Sequence, residues 1–295
     1  MRTIIVWVTS SLLLLAAAGC GGSGAASGGG LEVVAAENFY GDIAAQIGGA
    51  HVHVTSILSD PNADPHLFEP GSSNGLAVST AAVVIQNGVG YDAFMTKLEN
   101  ASPNSKRSVL TIADVLGVRG HDANPHLWYD VPALGRIAGA IASALERADP
   151  AHAAAYKAGV ARFDASLAPL RREVARIRAS YGGSAVAYTE PVPGYLIDAA
   201  GLKNLAPSSF THAIEDGTEP SPQAVAAMNA LMTKRQIKVL LYNNQAVSPI
   251  TSRVRAEAAR AHIPVVGVSE TVPPHVTFQQ WQLSQVRQLA AALAR

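Results

Sequence analysis

The sequence is poor in charged residues and has no excess of either sign. Lysine and arginine number 22, aspartate and glutamate also number 22, and charged residues make up 15% of the 295 positions. Proteins that bind nucleic acid need many cationic side chains to displace the counterions of the phosphate backbone. The neutral balance and the lack of a basic cluster therefore argue against a nucleic-acid partner.

Cysteine occurs only once, as Cys20. A disulfide within one chain needs two cysteines and a thiolate metal cluster needs several, so the composition excludes both. The sequence also lacks a glycine-rich phosphate loop of the Walker type. This absence removes the common sequence signature of a nucleotide hydrolase.

The long apolar run of this sequence is confined to the first twenty residues. Arg2 supplies a positive charge, residues 4–18 are apolar, and the small residues of "AAGC" end at Cys20. This order is typical of an export signal, and the run is too short to make a good membrane-spanning helix. We therefore predict a signal peptide over residues 1–19.

The position of Cys20 predicts a membrane anchor. A lone cysteine directly after the apolar run resembles the lipobox of bacterial lipoproteins, in which the signal is cut before a cysteine that then carries lipid. Ala17 stands where leucine is usual, and the alternative is a plain secretory signal with an incidental cysteine. The Gly/Ser/Ala-rich stretch within residues 20–30 predicts a flexible tether. Together these features predict a lipid-anchored protein on the extracytoplasmic face of the cell membrane.

From Leu31 onward, short β-rich runs alternate with helical patterns. The first lobe, residues 31–131, contains "LEVVAAEN", "HVHVTSIL", "AVVIQNG" and "SVLTIAD", and the second lobe, residues 183–295, contains "SAVAYTE", "KVLLYNN" and "PVVGVSE". Strands that alternate with helices indicate parallel sheets covered by helices. The predicted fold class is therefore α/β, with two lobes that each hold a mainly parallel sheet flanked by helices.

The segment between the lobes, residues 132–182, predicts a long linking helix. It is rich in alanine, leucine and arginine and has no strand pattern, and it is interrupted only near "ADPAHA". It ends at "YGG", where glycine is the expected helix terminator. A helix of this length is expected to reach beyond one lobe.

Two histidines occupy nearly identical settings in the predicted loops of the first lobe. His66 lies in "ADPHLFEP" and His126 lies in "ANPHLWYD", each after a predicted strand. Ligands of open parallel sheets bind beyond the carboxyl ends of strands. The preceding prolines restrict the backbone, and Phe68 and Trp128 are expected to pack over the site and exclude water. We therefore predict that both histidines are metal ligands rather than ordinary loop residues.

The second lobe offers two carboxylates in matching places. Glu190 and Glu270 are each the last residue of a predicted strand. Glu190 has the alternative role of capping the next helix, and Glu270 that of a solvated strand end. Two imidazoles and two carboxylates suit Zn²⁺, Mn²⁺ or Fe²⁺ and cancel the charge of the ion. We predict that one ion lies between the lobes, held by His66, His126, Glu190 and Glu270.

Several segments together resemble one protein family: "DPHLFEP", "NPHLWYD", "YTEPVPGYLIDAAGL", "EDGTEPSPQ" and "IPVVGVSE", with the long helix. The sequence resembles the zinc- and manganese-binding solute-binding lipoproteins of metal ABC importers, also called metal-receptor adhesins (cluster A-I), over roughly residues 31–295. The resemblance implies two α/β lobes bridged by one backbone helix, with a single ion between them. It places the family's ligands at His66, His126 and Glu190, and its fourth ligand, usually aspartate, at Glu270.

The resemblance also implies a function without catalysis. A protein of this kind captures Mn²⁺ or Zn²⁺ and delivers it to an ABC permease, and it is expected to be a monomer. The third ligand of the family is histidine in typical zinc receptors and glutamate in typical manganese receptors, and the His- and acid-rich loop of many zinc receptors is absent here. Both features favour manganese, although Zn²⁺ generally binds N/O sites more tightly than Mn²⁺ does.

Two other functions remain open from the residues alone. One is a zinc-dependent metallohydrolase, whose ion keeps an open position for water and whose general base would be Glu270 if that residue were not a ligand. The other is a surface adhesion protein that unfolds when its structural metal is removed. Two further histidines, His121 and His212, lie in predicted loops and are second-choice ligands.

Overall fold

The computed structural model describes residues 29–62, 65–120 and 122–295. The predicted signal peptide, the predicted lipidation site Cys20 and residues 20–28 of the tether lie outside the described residues, as does His121. Within the described ranges, a search for helices with the length and hydropathy of a membrane span found none.

The first lobe is built on a parallel sheet of four strands. The strand order is β2-β1-β3-β4, and each neighbouring pair is parallel. Because parallel neighbours need crossover connections, helices cover the faces of the sheet. The strands are β1 (Leu31–Glu37), β2 (Val52–Leu58), β3 (Val83–Gln86) and β4 (Ser108–Thr111), and the helices are α1 (Asn38–Gly48), α2 (Ser72–Thr80), α3 (Ala93–Ala101) and α4 (Ile112–Leu116).

Three helices occupy the segment that was predicted to link the lobes: α5 (Leu134–Ala148), α6 (Ala153–Ser166) and α7 (Ala168–Tyr181). Helix α5 packs against α1 and α4 of the first lobe, and α6 packs against α1 and α5. Only Leu167, itself in helical conformation, separates α6 from α7, whose second residue is Pro169. Proline lacks the amide hydrogen of a continuous helix, which accounts for this small interruption. The nearly continuous helix 153–181 therefore leads from the first lobe to α12 of the second.

The second lobe repeats the sheet topology of the first. Its strand order is β6-β5-β7-β8, again with parallel neighbours. The two-residue strand β6 and helix α9 were not predicted, and a strand of two residues is too short to show any periodicity. The strands are β5 (Ala185–Tyr188), β6 (Lys203–Asn204), β7 (Val239–Asn243) and β8 (Val265–Val268), and the helices are α8 (Gly194–Ala199), α9 (Ser208–Glu215), α10 (Pro222–Thr233), α11 (Pro249–Arg260) and α12 (Phe278–Leu293).

Hydrogen bonds join the two lobes close to the carboxyl ends of their strands. Asn38 exchanges two hydrogen bonds with the backbone of Val272, both 2.9 Å long. The amide of Phe278 donates to Asp42 Oδ2 at 2.9 Å, and the hydroxyl of Tyr129 donates to the carbonyl of Ser269 at 2.6 Å. These contacts place the strand ends of both sheets against one another, where ligands of parallel sheets bind.

The close approach of α1 and α6 predicts a strong effect of one added methyl group. Gly159 of α6 lies against the backbone of Ile47, and a Cβ at this position would overlap the Ile47 carbonyl. We expect Gly159→Ala to lower the free energy of unfolding by about 1–3 kcal/mol, because overpacking forces the two helices apart. Denaturant unfolding measures this change.

Gly139 provides the matched control, because it also lies in a helix but has nothing within 4 Å of an added Cβ. Gly139→Ala is expected to stabilise the protein by about 0.5–1 kcal/mol, the difference in helix propensity between the two residues. Equal effects at both positions would contradict the close contact between α1 and α6.

Candidate metal centre

Three of the four predicted ligands converge at the junction of the lobes. His126 Nε2 lies 3.2 Å from Glu270 Oε2, and His66 Nε2 lies 3.6 Å from the same oxygen. One donor atom from each of these three residues lies within 4.8 Å of the other two. His126 and Glu270 are fully buried, and the side chain of His66 is 17% exposed. The distances and the donor types suit a single metal ion.

The fourth predicted ligand, Glu190, is connected to this group through an asparagine. Glu190 follows β5 and is buried, and its Oε2 accepts a hydrogen bond of 2.5 Å from Asn243 Nδ2. The same Nδ2 atom donates to Glu270 Oε1 at 2.7 Å. The two carboxylates of the second lobe therefore share one amide group. Sequence reasoning missed Asn243, although its position as the last residue of β7 places it at the same sheet edge.

The histidines are carried by short 3₁₀ turns in the first lobe. His66 is the central residue of Pro65–Leu67, and His126 immediately precedes Leu127–Tyr129. Asn124 fixes the ring of His126, because its Oδ1 lies 2.7 Å from ring Nδ1 and accepts from the backbone amide of His126 at 3.0 Å. Asn124 Oδ1 can accept a proton from Nδ1, which leaves Nε2 able to bind a metal ion.

Asn124 also connects the lobes. Its Nδ2 donates to the carbonyl of Pro191, the residue after Glu190, at 2.8 Å. One side chain thus holds the ring of His126 and the backbone beside Glu190 in a fixed relation. In the sequence, Asn124 is simply a polar residue before Pro125, so its role was not predicted.

Aromatic side chains surround the histidines. The buried ring of Trp128 lies 5.2 Å from that of His126 and stacks on Phe39 at 4.0 Å. Tyr91 donates its hydroxyl to Glu270 Oε2 at 3.0 Å, and its ring lies 5.5 Å from that of His66. Phe68, which was expected to cover the site, packs at 5.0 Å on Phe94. Trp128 and Tyr91 therefore exclude water from the buried side of the site.

Electrostatic interactions keep Glu270 charged despite its burial. Burial pushes the pKa of this carboxyl upward, but the hydrogen bond with His126, the attraction of His66 and His126 in their protonated forms and the Asn243 amide together lower it to about 2. The backbone amide of Glu270 also donates to Gln245 Oε1 at 2.6 Å. Burial lowers the pKa of His126, which favours the neutral imidazole that metal binding requires.

A cavity of about 580 Å³ opens onto the site. Its lining includes His66 and Tyr91 of the first lobe and His212 and Glu215 of α9. His212, a second-choice ligand, is exposed and lies outside the group of converging donors within the described residues. Glu215 Oε1 lies 3.8 Å from His126 Nδ1, and burial, with the charges of Glu270 and Asp216, raises the pKa of Glu215 to about 8.

The chain is similar to known proteins over almost all of its described length. The sequence model of the family described as "Zinc-uptake complex component A periplasmic" matches residues 33–292. The manganese-binding lipoprotein MntA of Bacillus subtilis is 25% identical over 254 residues, which cover 80% of this chain and 79% of MntA. A putative metal-binding protein of Treponema pallidum is 22% identical over 283 residues, which cover 90% of this chain and 88% of that protein.

Solved structures share the fold. The periplasmic zinc-binding protein TroA from Treponema pallidum matches with a TM-score of 0.77 and 19% identity, and the match covers 90% of this chain and 100% of TroA. The cadmium-bound periplasmic metal-binding protein from Candidatus Liberibacter asiaticus matches with a TM-score of 0.73 and 18% identity, over 88% of this chain and 98% of that one. The expected fold class, two parallel α/β lobes with a long helix, is confirmed.

The raised pKa of Glu215 predicts a pH dependence of stability in the metal-free protein. Because the folded protein holds this proton up to about pH 8 and the unfolded chain releases it near 4.5, the free energy of unfolding falls as the pH rises between these values. The glutamine of Glu215→Gln cannot ionise, so the free energy of unfolding of this variant should change less with pH. Between pH 5 and pH 8 we expect its decrease to be smaller than that of the wild type by on the order of 2 kcal/mol.

Chelator-treated protein unfolded by denaturant at each pH measures this difference. Glu219→Gln is the control, because Glu219 is an exposed residue shortly after α9. Its free energy of unfolding is expected to follow the wild-type dependence on pH. Parallel profiles for the wild type and Glu215→Gln would show that the carboxyl of Glu215 titrates without a shift.

Proposed function

Because the chain belongs to the family of periplasmic component A proteins of zinc-uptake complexes, we propose that it captures a divalent transition metal ion between its lobes and delivers it to an ABC permease. The observation that carries this proposal is the convergence of His66, His126 and Glu270 at the junction of the lobes. Zn²⁺ and Mn²⁺ are the candidate ions, since relatives are named for zinc and for manganese binding. The ion is cargo rather than a catalytic group, because the family consists of uptake components and not of enzymes.

The proposed ligands are His66, His126, Glu190 and Glu270. Two neutral imidazoles and two carboxylates give two nitrogen and two oxygen donors and compensate the charge of a divalent ion. Glu190 and Glu270 are 1% and 0% exposed, so both carboxylates lie in a setting where an isolated charge would be costly. A bound cation offsets that cost, which supports capture of metal at this place.

Loop movement, rather than wide separation of the lobes, fits capture and release. The nearly continuous helix 153–181 and the interlobe hydrogen bonds of Asn38 and Asp42 resist hinge opening. The histidines are held on short turns, and the cavity beside His66 leads from the site toward the surface. Small shifts of these turns would suffice to admit or release an ion.

Neither alternative function gains support from the structure or from the comparisons. A metallohydrolase needs an open metal position and a base beside the ligands, whereas Glu270 points its Oε2 at both histidines. A structural metal in an adhesion protein would be required for folding, whereas here a large buried apolar cluster runs through both lobes and a second cluster lies within the second lobe.

The proposed location is the extracytoplasmic face of the cell membrane, to which a lipid on Cys20 anchors the chain as a monomer. The relative MntA is named a lipoprotein, and the family is described as periplasmic. In the sequence, the tether within residues 20–30 separates the anchor from the first strand, which starts at Leu31. This arrangement leaves the metal-binding lobes free to reach a permease in the same membrane.

Removal of a proposed ligand is expected to abolish tight metal binding. The chelator-stripped wild type should take up one ion per chain when offered Zn²⁺ or Mn²⁺. His66→Ala and Glu190→Ala should each lower the affinity by more than the roughly 10- to 100-fold that the loss of an outer-shell partner costs. Metal content by mass spectrometry and competition with a chelating dye measure both quantities.

His212→Ala is the control for this experiment, because His212 lines the same cavity without joining the converging donors. It should bind metal as the wild type does. Metal binding that survives in both ligand variants, or a wild type that holds no ion, would refute the proposed site.

The lipid anchor predicts a change of location when the thiol is removed. Cys20→Ser keeps the size of the residue but removes the sulfur atom that would carry lipid. We expect the wild type in the membrane fraction and the variant in the aqueous phase of a detergent partition. If both proteins are released to the same extent, the segment is a plain secretory signal.

A further inference from the structure

We propose that Asn243 selects the captured ion, because it binds one oxygen of each carboxylate and so favours four-coordinate Zn²⁺ over Mn²⁺. This inference rests on the proposed function and concerns the choice of ion at the same site. The presence of Glu190 alone suggests a preference for manganese. The selection by Asn243 favours zinc instead, because it depends on how the carboxylate of Glu190 is held.

The orientation of the Asn243 amide is fixed by its neighbours. Its Oδ1 accepts a hydrogen bond of 3.0 Å from the backbone amide of Gln245. Its own backbone amide donates to Thr189 Oγ1 at 3.1 Å, and the residue is 1% exposed. A rotated amide would set Oδ1 against two carboxylates and Nδ2 against an N–H group. Asn243 therefore presents Nδ2, and not an oxygen, to the site.

Nδ2 engages both carboxylates at once. It donates to Glu190 Oε2 at 2.5 Å and to Glu270 Oε1 at 2.7 Å, which uses both hydrogens of the amide group. Hydrogen bonds to charged acceptors are short and strong. An amide nitrogen has no lone pair available for a metal. Asn243 thus occupies one oxygen on each carboxylate and adds no ligand of its own.

Each carboxylate has one oxygen that Asn243 does not bind, and these two oxygens are the donors proposed for the ion. Oε2 of Glu270, the atom that faces both histidines, is not the oxygen that Asn243 binds. On Glu190, Oε1 is likewise the oxygen that Asn243 does not bind. A carboxylate with one oxygen held in this way favours ligation through a single oxygen. The donor set is then two nitrogens and two oxygens.

A donor set of this size discriminates between the candidate ions. Zn²⁺ is satisfied by four tetrahedral ligands from histidine and carboxylate. Mn²⁺ prefers about six donors, mainly oxygens, and obtains them from carboxylates that bind through both oxygens or from added water. Trp128 lies on the buried side of the site, so added waters would have to come from the cavity that His66 and Tyr91 line. Because Asn243 holds the second oxygen of each carboxylate, it disfavours a larger shell of carboxylate oxygens.

The test measures the ratio of the Zn²⁺ and Mn²⁺ affinities by chelator competition in protein expressed from the full-length sequence. Asn243→Ala removes Nδ2 and allows each carboxylate to offer its second oxygen. We expect the preference for Zn²⁺ over Mn²⁺ to fall by roughly tenfold or more, the scale of a hydrogen bond to a charged group. Asn244→Ala is the matched control, because Asn244 is the next residue, is exposed and makes no contact with either carboxylate in the hydrogen bonds described.

X-ray absorption spectroscopy of the zinc-loaded wild type provides a readout that does not depend on the stability of a variant. We expect four nitrogen and oxygen neighbours with each carboxylate bound through one oxygen. A shell of five or six donors, or a carboxylate bound through both oxygens, would overturn the inference. So would an affinity ratio in Asn243→Ala equal to that of Asn244→Ala.

The outcomes separate this inference from the proposed function. If the wild type binds one ion but Asn243→Ala leaves the ratio of the Zn²⁺ and Mn²⁺ affinities unchanged, the proposed function stands and the selection by Asn243 is wrong. If the wild type binds neither ion, the proposed function fails and the inference fails with it. A lowered ratio in Asn243→Ala alone, with a four-donor zinc site in the wild type, supports both.

Discussion

Two carboxylates buried against each other at the junction of the lobes are the constraint on which the rest of the site depends. Glu190 and Glu270 are almost completely shielded from water, where an uncompensated charge would be costly. The Asn243 amide bridges the two, and His126 and Tyr91 contact Glu270. A divalent cation at the proposed site would add to the compensation that these contacts provide. The same contacts surround the place proposed for the ion.

Sequence patterns predicted the outline of this arrangement well, for identifiable reasons. Strands and helices of the two lobes alternate with clear periodicity, and the carboxyl ends of parallel strands are known binding edges, so Glu190 and Glu270 were predicted from their positions at strand ends. The duplicated Pro-His-Leu motif, also placed after predicted strands, singled out His66 and His126 from the other histidines. A repeated motif carries information that a single residue at one strand end does not.

What the sequence did not predict are the residues that act through hydrogen bonds between distant segments. Asn243 and Asn124 are ordinary polar residues at a strand end and in a loop, and their partners lie 53 and 67 positions away along the chain. Periodicity reports which face of an element is buried, but it does not report which polar atoms meet in the folded state. Helix α9, which brings Glu215 to within 3.8 Å of His126, was missed for a related reason, since "PSSFTHAIE" has few apolar residues to mark a buried face.

The proposed ligands differ in how firmly the fold holds them, and this difference bears on the proposed release of the ion. Glu190 and Glu270 follow strands of the second sheet, and Asn243 and Gln245 brace their side chains or backbone. His66 lies on a short turn, its side chain is partly exposed, and the adjacent Leu67 is 72% exposed. Displacement of this turn would remove one nitrogen donor while the lobes stayed joined. Because two of the proposed ligands are braced and His66 is partly exposed, contact of a permease with the His66 turn would weaken the proposed site without separating the lobes.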